Sequence, residues 1–131
     1  MSEKAHENVN FQTIESELVE MVRVDQEMRK KGLEDPNYWD ERVDLDNTEA
    51  LKKIVSTIGW PTLSKVGERG ENNAWLLVQH ADHDVEFQKS CLTLMKQEAE
   101  SEVSKRHIAY LEDRVRVNEG KPQLYGTQFR Q

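Results

Sequence analysis

The sequence predicts an all-α domain of about five helices in a bundle-like arrangement, followed by an extended C-terminal arm. Apolar residues recur at three- and four-residue intervals in several segments, which is the spacing of one helix face. Glycine and proline separate these segments. Charged residues make up 33% of the 131 residues, as expected for helices with a solvated outer surface. We expect residues 1–9 to be a disordered polar lead and residues 10–131 to form a single helical domain.

The first helix is predicted to begin near Asn10 and to end at Gly32. Its apolar positions, among them Ile14, Leu18 and Met28, keep helical spacing. Glycine often follows the last turn of a helix, and three cations precede it here, where they complement the helix dipole. Residues 34–43 contain an Asp-Pro-Asn turn signal, so we expect a loop or short irregular helix whose aromatic residues cap one end of the core.

The second helix is predicted to follow the Asp-Asn pair at residues 46–47, because such side chains accept hydrogen bonds from the first turn. The Gly-Trp-Pro motif at residues 59–61 should end it, since proline biases the preceding residue away from helical dihedral angles. We expect residues 62–70, with two glycines, to form a loop. A third, buried helix should then begin with a cap at Asn72 or Asn73.

Two more helical patterns follow. One covers residues 85–100, and the last runs from about Glu102 to the glycine and proline at residues 120 and 122. The sequence leaves open whether residues 79–84 interrupt the third helix or continue it. The tail, residues 123–131, is predicted to be a strand or an extended arm.

Composition excludes several classes of partner. The net charge of −7, without a clustered basic stripe, argues against nucleic-acid binding. No apolar run approaches the roughly 20 residues that span a bilayer, and the N-terminus lacks the hydrophobic segment of a signal peptide. The single cysteine, Cys91, lies within an apolar pattern and should be a buried, inert thiol. We therefore expect a soluble cytoplasmic protein without a nucleic-acid or membrane partner.

Polar chemistry is concentrated in residues 79–84, Gln-His-Ala-Asp-His-Asp. If the helix runs unbroken through them, His80, Asp84 and Gln88 share one face, and an imidazole–carboxylate pair there would suit a general base. His80, His83 and Asp84 are also metal-ligand types, but the set is incomplete, so we predict neither a metal nor another cofactor. The competing interpretation makes His80 a buried, hydrogen-bonded structural residue.

Five ordered motifs within residues 40–131 resemble a mostly bacterial family known as a domain of unknown function. The motifs are Gly-Trp-Pro at 59–61, Val-Gly at 66–67, Gln-His-Ala-Asp at 79–82 with Phe-Gln at 87–88, Ala-Tyr-Leu-Glu-Asp-Arg-Val at 109–115, and Gln-Leu-Tyr-Gly-Thr-Gln at 123–128. The resemblance carries no reaction. It implies only which positions matter, namely Gln79, His80, Gln88, Asp113, Arg114, Tyr125 and Gln128. Members of that family typically continue beyond the last motif with a further polar segment, where this chain ends at Gln131.

The leading hypothesis is a pocket that acts on an anionic or polar group of a small molecule or peptide. The candidate catalytic residues are His80, Asp84 and Asp113, with His80 as base or hydrogen-bond donor and either aspartate orienting it. The candidate ligand-binding residues are Gln79, Gln88, Arg114, Tyr125, Thr127 and Gln128. Among these, Arg114 would hold an anionic group and residues 125–128 would form a wall.

A non-catalytic alternative is an acidic interaction module that binds a basic protein partner. The sequence leaves open whether the protein is an enzyme, and the partner is an unknown small molecule or protein.

Overall fold

The computed structural model describes residues 9–129, which form five α-helices and an extended C-terminal arm. The helices are α1 (Phe11–Glu34), α2 (Glu41–Ile58), α3 (Leu63–Gln79), α4 (Val85–Gln97) and α5 (Lys105–Asn118), and a 3₁₀ turn at Pro36–Tyr38 joins α1 to α2. Residues 9–129 contain no strand, so the predicted all-α, bundle-like fold is confirmed. Of the predicted disordered lead, residues 1–8 lie outside the described residues.

One core joins all five helices. Each helix contributes a fully buried side chain to it, namely Leu18, Leu51, Ala74, Cys91 and Leu111 in chain order. Helix α3 is central, because it packs against each of the other four helices. Its most extensive packing is against α1. None of the helices in residues 9–129 is long and apolar enough to cross a membrane.

Helix α1 continues through Gly32, so the predicted stop is wrong by two residues. A β-carbon at Gly32 would lie 2.7 Å from Cε3 of Trp39, closer than real side chains approach. The glycine therefore does not end the helix. It leaves room for the indole ring of Trp39 to pack directly on the helix surface.

Helix α2 begins five residues before the predicted Asp-Asn pair. Asp40 is its N-cap, and Oδ1 of Asp40 accepts a hydrogen bond of 2.9 Å from the backbone N–H of Arg42. Asn47 lies inside the helix, where its side chain donates to the carbonyl oxygen of Met21 on α1. The predicted end is confirmed, because α2 stops at Ile58 and Gly59 takes a φ of 74°, a left-handed value that favours glycine.

The predicted loop at residues 62–70 is wrong, and so is the predicted cap at Asn72 or Asn73. Helix α3 begins directly after Thr62, and Gly67, with a φ of 76°, kinks it without ending it. Gly70 is required for close packing, since a β-carbon there would lie 2.6 Å from the side chain of Val66. Both glycines thus shape a helix that sequence reasoning assigned to a loop.

Candidate functional site

The hexad at residues 79–84 interrupts the helical path. Helix α3 ends at Gln79, and α4 begins after Asp84, whose Oδ1 accepts a hydrogen bond of 3.0 Å from the N–H of Phe87. His80, Asp84 and Gln88 therefore do not share one helix face. Asp84 caps α4 and pairs with Lys52 at 2.6 Å, and these two contacts lower its pKa. The predicted role of Asp84 in orienting His80 is wrong, because its carboxylate is used elsewhere.

His80 pairs instead with Asp25, which lies 55 residues earlier on α1. Nδ1 of His80 donates to Oδ1 of Asp25 at 2.9 Å, and Asp25 is fully buried. Asp25 also accepts hydrogen bonds from Gln26 at 2.8 Å and from Arg29 at 2.6 Å. Burial raises the pKa of Asp25, but the hydrogen bonds and charges of its three partners lower it by more, so the carboxylate stays ionised. An ionised acceptor fixes the imidazole with its proton on Nδ1.

His80 lines a pocket, and its other ring nitrogen is unpartnered in the described part of the chain. Within residues 9–129, Nε2 of His80 forms no hydrogen bond, and 18% of the side chain is exposed. The pocket has a volume of about 520 Å³, and its lining comprises Arg29, Trp39, Glu41, Asp44, Leu45, His80, Asp82, His83 and Arg114. We refer to this space as the His80 pocket. It has the size of a small-molecule site and contains an oriented imidazole with a free nitrogen.

The guanidinium of Arg29 joins the carboxylates of Asp25 and Asp44. Its guanidinium bonds Asp25 at 2.6 Å and Asp44 at 2.9 and 3.2 Å, and it lies 5.2 Å from the ring centroid of Trp39. Donor atoms of Asp25, Asp44 and His80 lie within 4.8 Å of one another, and they are groups that ligate divalent ions. Arg29 already hydrogen-bonds both carboxylates, so a metal could occupy this position only after displacing the guanidinium.

Arg114 lines the same pocket but is held by Asp82. Its Nε and Nη2 donate to the two carboxylate oxygens of Asp82 at 2.9 and 2.6 Å, and Nη1 donates to Gln128 at 3.1 Å. Burial raises the pKa of Asp82, but the hydrogen bonds from Arg114 and Asn118 outweigh it and bring the pKa to about 2. Since Asp82 fills the bidentate edge of the guanidinium, the predicted anion clamp at Arg114 does not fit this geometry.

The two glutamines of the motif lie behind the pocket and do not line it. Gln88 is fully buried, and its Nε2 donates to the carbonyl oxygens of Val78 and Gln79 at 3.1 and 3.4 Å. It thereby satisfies acceptors at the end of α3 that the helix leaves open. Gln79 is also buried, and its side-chain oxygen has no partner within the described residues. Both were predicted to bind ligand, but Gln88 fixes the turn that carries His80.

Asp113 organises the C-terminal arm and does not contact His80. Its buried carboxylate accepts hydrogen bonds from the N–H groups of Leu124, Tyr125 and Thr127 at 2.7, 3.1 and 2.9 Å, and from the Thr127 hydroxyl at 2.8 Å. Burial raises the pKa of Asp113, but these four bonds lower it by more. The predicted orienting role of Asp113 is therefore wrong. The aspartate is an anchor for the chain.

The arm only partly fulfils its predicted role as a wall. Tyr125 is 62% exposed and does not line the His80 pocket. Thr127 is committed to Asp113, and Gln128 reaches the pocket indirectly through its hydrogen bond to Arg114. The structure thus brings His80 and Arg114 to one pocket and leaves Tyr125 outside it.

Cys91 cannot serve as a nucleophile at neutral pH. The side chain is fully buried in α4, and burial, with a smaller contribution from the charge of Asp84, raises the pKa of the thiol to about 12. The thiolate is the reactive form, so the predicted inert character of this cysteine agrees with its surroundings.

Comparison with curated proteins and with solved structures finds no match. A family model described as "Family of unknown function (DUF6624)" matches residues 12–131, which includes all five helices except the first residue of α1. The match spans the turn that carries His80, the helix that carries Arg114 and the arm that Asp113 anchors. The predicted resemblance is thereby confirmed, and the chain belongs to this family of unknown function, DUF6624.

Proposed function

We propose that the His80 pocket binds a small polar or cationic molecule and that His80 acts there as a general acid–base. One observation carries the proposal. Buried Asp25 holds Nδ1 of His80 at 2.9 Å, while Nε2 is unpartnered within residues 9–129 and His80 belongs to the lining of the pocket. A base that is oriented by a third group and open on its reactive side is the arrangement that proton transfer requires.

The chemistry follows from the tautomer. Because the Asp25 carboxylate accepts from Nδ1–H, the lone pair of the neutral imidazole resides on Nε2. Nε2 takes the proton of a bound water or hydroxyl, whose oxygen then bonds to an electrophilic carbon. The imidazolium returns the proton from Nε2 to the leaving group. Asp25 stabilises the charged ring throughout and stays ionised itself.

The charge of the pocket selects the ligand. Its lining holds the carboxylates of Glu41, Asp44 and Asp82 and the guanidiniums of Arg29 and Arg114, an excess of one negative charge. Both guanidiniums are bound to carboxylates, so neither presents an unpaired positive charge. Of the anionic or polar group that the sequence predicted, the polar alternative therefore fits better than the anionic one, and a cationic group fits as well.

Hydrolysis of p-nitrophenyl acetate, a small neutral ester whose attack by water an oriented general base accelerates, tests the proposal. We expect the intact chain to hydrolyse it above the buffer rate, and His80→Gln to lower that excess rate by about tenfold or more. Asp25→Asn should lower it as well, because the amide can donate to Nδ1 and allow the wrong tautomer.

His83→Gln is the matched control, since His83 lines the same pocket but is exposed and forms no hydrogen bond or ion pair with a carboxylate that would orient its ring within residues 9–129. We expect this variant to retain the rate of the unaltered protein. Equal rates for His80→Gln and the unaltered chain would overturn the proposed function. So would a loss of rate in the His83 variant of the same size as in the His80 variant.

A second candidate function, the acidic interaction module, has its own support. Tyr38, Trp39 and Leu45 are exposed beside the acidic start of α2. Large exposed apolar side chains in a charged setting are typical of protein-binding surfaces. A lysine- and leucine-rich peptide, followed by NMR shifts, separates the two candidates. The module predicts binding that Leu45→Ser abolishes and His80→Gln leaves intact.

A further inference from the structure

A second pocket lies between α3 and α5 and is separate from the His80 pocket. Its volume is about 900 Å³, and its lining comprises Leu63, Glu68, Arg69, Glu71, Asn72, Trp75, Ser104, Arg106, His107 and Tyr110. It shares no residue with the His80 pocket. We call it the aromatic pocket, because three of its residues carry rings.

The rings form a rigid floor. Trp75 and His107 stack with centroids 4.4 Å apart and planes only 8° from parallel, and Tyr110 meets Trp75 edge-on at 5.7 Å. Buried Glu71 fixes the stack by accepting from Nδ1 of His107 at 2.5 Å and from the indole N–H of Trp60 at 3.0 Å. A preorganised aromatic surface of this kind binds a flat ring at low entropic cost.

Two arginine side chains lie at the rim of the aromatic pocket. Arg69 and Arg106 are both exposed, and neither forms a hydrogen bond or ion pair with another residue in the described part of the chain. In the His80 pocket, by contrast, Arg29 and Arg114 are each bound to carboxylates. Two unpaired guanidiniums on the rim of one cavity are unusual in a chain with a net charge of −7.

We propose that the aromatic pocket binds a small molecule that combines a flat aromatic ring with a phosphate or carboxylate group. The ring would pack on Trp75 and Tyr110, and the anion would lie against Arg69 and Arg106. Guanidinium binds both kinds of anion through paired N–H donors. His107 contributes its ring face and not a proton, because its nitrogens lie 2.5 Å from Glu71 and 3.2 Å from Asn72.

Calorimetric titration of the full chain with four probes tests this site. Adenosine 5′-monophosphate and 2-naphthoate carry both a ring and an anion, whereas adenosine supplies only the ring and inorganic phosphate only the anion. We expect the first two to bind, and adenosine and inorganic phosphate each to bind at least about tenfold more weakly than the monophosphate. Equal binding of the monophosphate and adenosine would overturn the proposal, and so would failure of both ringed anions to bind.

The double variant Arg69→Gln/Arg106→Gln removes the cations without removing a contact within the described chain, so it should fold normally. We expect it to weaken binding of the monophosphate by about tenfold and to leave binding of adenosine unchanged. Arg42→Gln, at an arginine whose side chain is 83% exposed and lies outside the pocket, should bind as the unaltered chain does. Undiminished binding by the double variant would contradict the site. His80→Gln should not change binding here, which keeps this test independent of the proposed acid–base function.

Discussion

Residues 9–129 contain two histidine–carboxylate pairs that look alike and differ in the environment of one ring nitrogen. In each pair a fully or almost fully buried carboxylate accepts from Nδ1 of a partly exposed histidine, Asp25 for His80 and Glu71 for His107. Each pair joins α3 to another helix. His80 follows α3 and meets α1, while Glu71 on α3 meets α5. By the usual search for a base with a carboxylate partner, both would qualify as catalytic.

The second ring nitrogen separates the two pairs. Nε2 of His80 is unpartnered within residues 9–129, and His80 lines a pocket, whereas Nε2 of His107 lies 3.2 Å from Oδ1 of Asn72. His107 is also stacked on Trp75, which uses one face of its ring for packing. An oriented imidazole can transfer a proton only through a nitrogen that a substrate can reach. We therefore expect proton chemistry only of the open pair, Asp25–His80, and a structural role for the closed pair, Glu71–His107.

The carboxylates of Asp25 and Glu71 also differ, in the partners that remain when the histidine is removed. Asp25 shares its oxygens with Arg29 and Gln26, so it keeps partners if the histidine is removed. The other partner of Glu71 is the indole N–H of Trp60. Removal of His107 therefore leaves the Glu71 carboxylate with this neutral donor. The two pairs should therefore respond very differently to the same substitution.

The largest expected effect is on stability, in the closed pair. We expect His107→Ala to lower the free energy of unfolding by about 3 kcal/mol, because it leaves a buried carboxylate short of a partner and removes the stack on Trp75. His80→Ala should cost about 1 kcal/mol, because Arg29 and Gln26 still satisfy Asp25. Urea unfolding of both variants measures the difference.

Ester hydrolysis should show the reverse order in these variants. The His80 variant should lose the rate and the His107 variant should keep it, provided that the latter is assayed at a temperature where it is folded. A His80 variant that is destabilised as much as the His107 variant, with unchanged hydrolysis, would make both pairs structural and remove the distinction.

The next largest effect concerns the arm behind the open pair. Asp113→Ala removes four hydrogen bonds to residues 124–127, and we expect a loss of about 2 kcal/mol in the free energy of unfolding. Faster hydrogen exchange at the amides of Leu124, Tyr125 and Thr127 should accompany it. Thr127→Val removes only the two bonds of the hydroxyl, to Asp113 and from Gln128, and keeps the three backbone bonds to Asp113, so it should cost less than Asp113→Ala. If exchange at these amides is unchanged in Asp113→Ala, the carboxylate does not hold the arm.

Sequence reasoning predicted the fold class and most of the core, because hydrophobic periodicity depends on residues close in the chain. It failed where glycine has a tertiary role. Gly32 seats an indole ring, Gly67 kinks a helix and Gly70 allows close packing, yet each was interpreted as a signal to end a helix or form a loop. No local pattern distinguishes a glycine that ends a helix from one that admits a neighbour.

The candidate site was only partly predictable for a related reason. The hexad identified His80, but its partner Asp25 lies on another helix, and pairing across 55 residues leaves no mark in spacing. One signal was present. Asp25 falls four residues after Met21 and three before Met28, on the apolar side of α1, where an acidic side chain needs a buried partner. His107 gave no comparable signal, because its surroundings are those of an ordinary amphipathic helix.

A smaller effect, on the pH dependence of stability, comes from Asp82 at the rim of the open pair. Its pKa of about 2 in the folded protein lies below the ordinary value of 3.8, so its stabilising contribution is complete above 3.8 and is lost as the pH falls through about 2. Since 38% of the side chain is exposed, solvent screening limits this contribution to about 1 kcal/mol. Unfolding of the unaltered chain should thus lose about 1 kcal/mol more than Asp82→Asn between about pH 5 and pH 2. Parallel pH curves for the two proteins would show that the Arg114 pair adds nothing.

The smallest effect on stability should come from Gly32→Ala, which discriminates between the two pockets. Alanine favours a helix over glycine by about 1 kcal/mol, but its β-carbon would lie 2.7 Å from Cε3 of Trp39. Trp39 is partly exposed and can swing away, so the two terms should nearly cancel and leave the free energy of unfolding within about 1 kcal/mol of the original. The NMR signal of the Trp39 indole N–H should shift, and ester hydrolysis should fall, because Trp39 lines the His80 pocket. Binding of adenosine 5′-monophosphate should not change, since Trp39 does not line the aromatic pocket. If Gly32→Ala lowers both ester hydrolysis and binding of adenosine 5′-monophosphate, the two pockets are not independent. The open and the closed pair would then not belong to two separate sites.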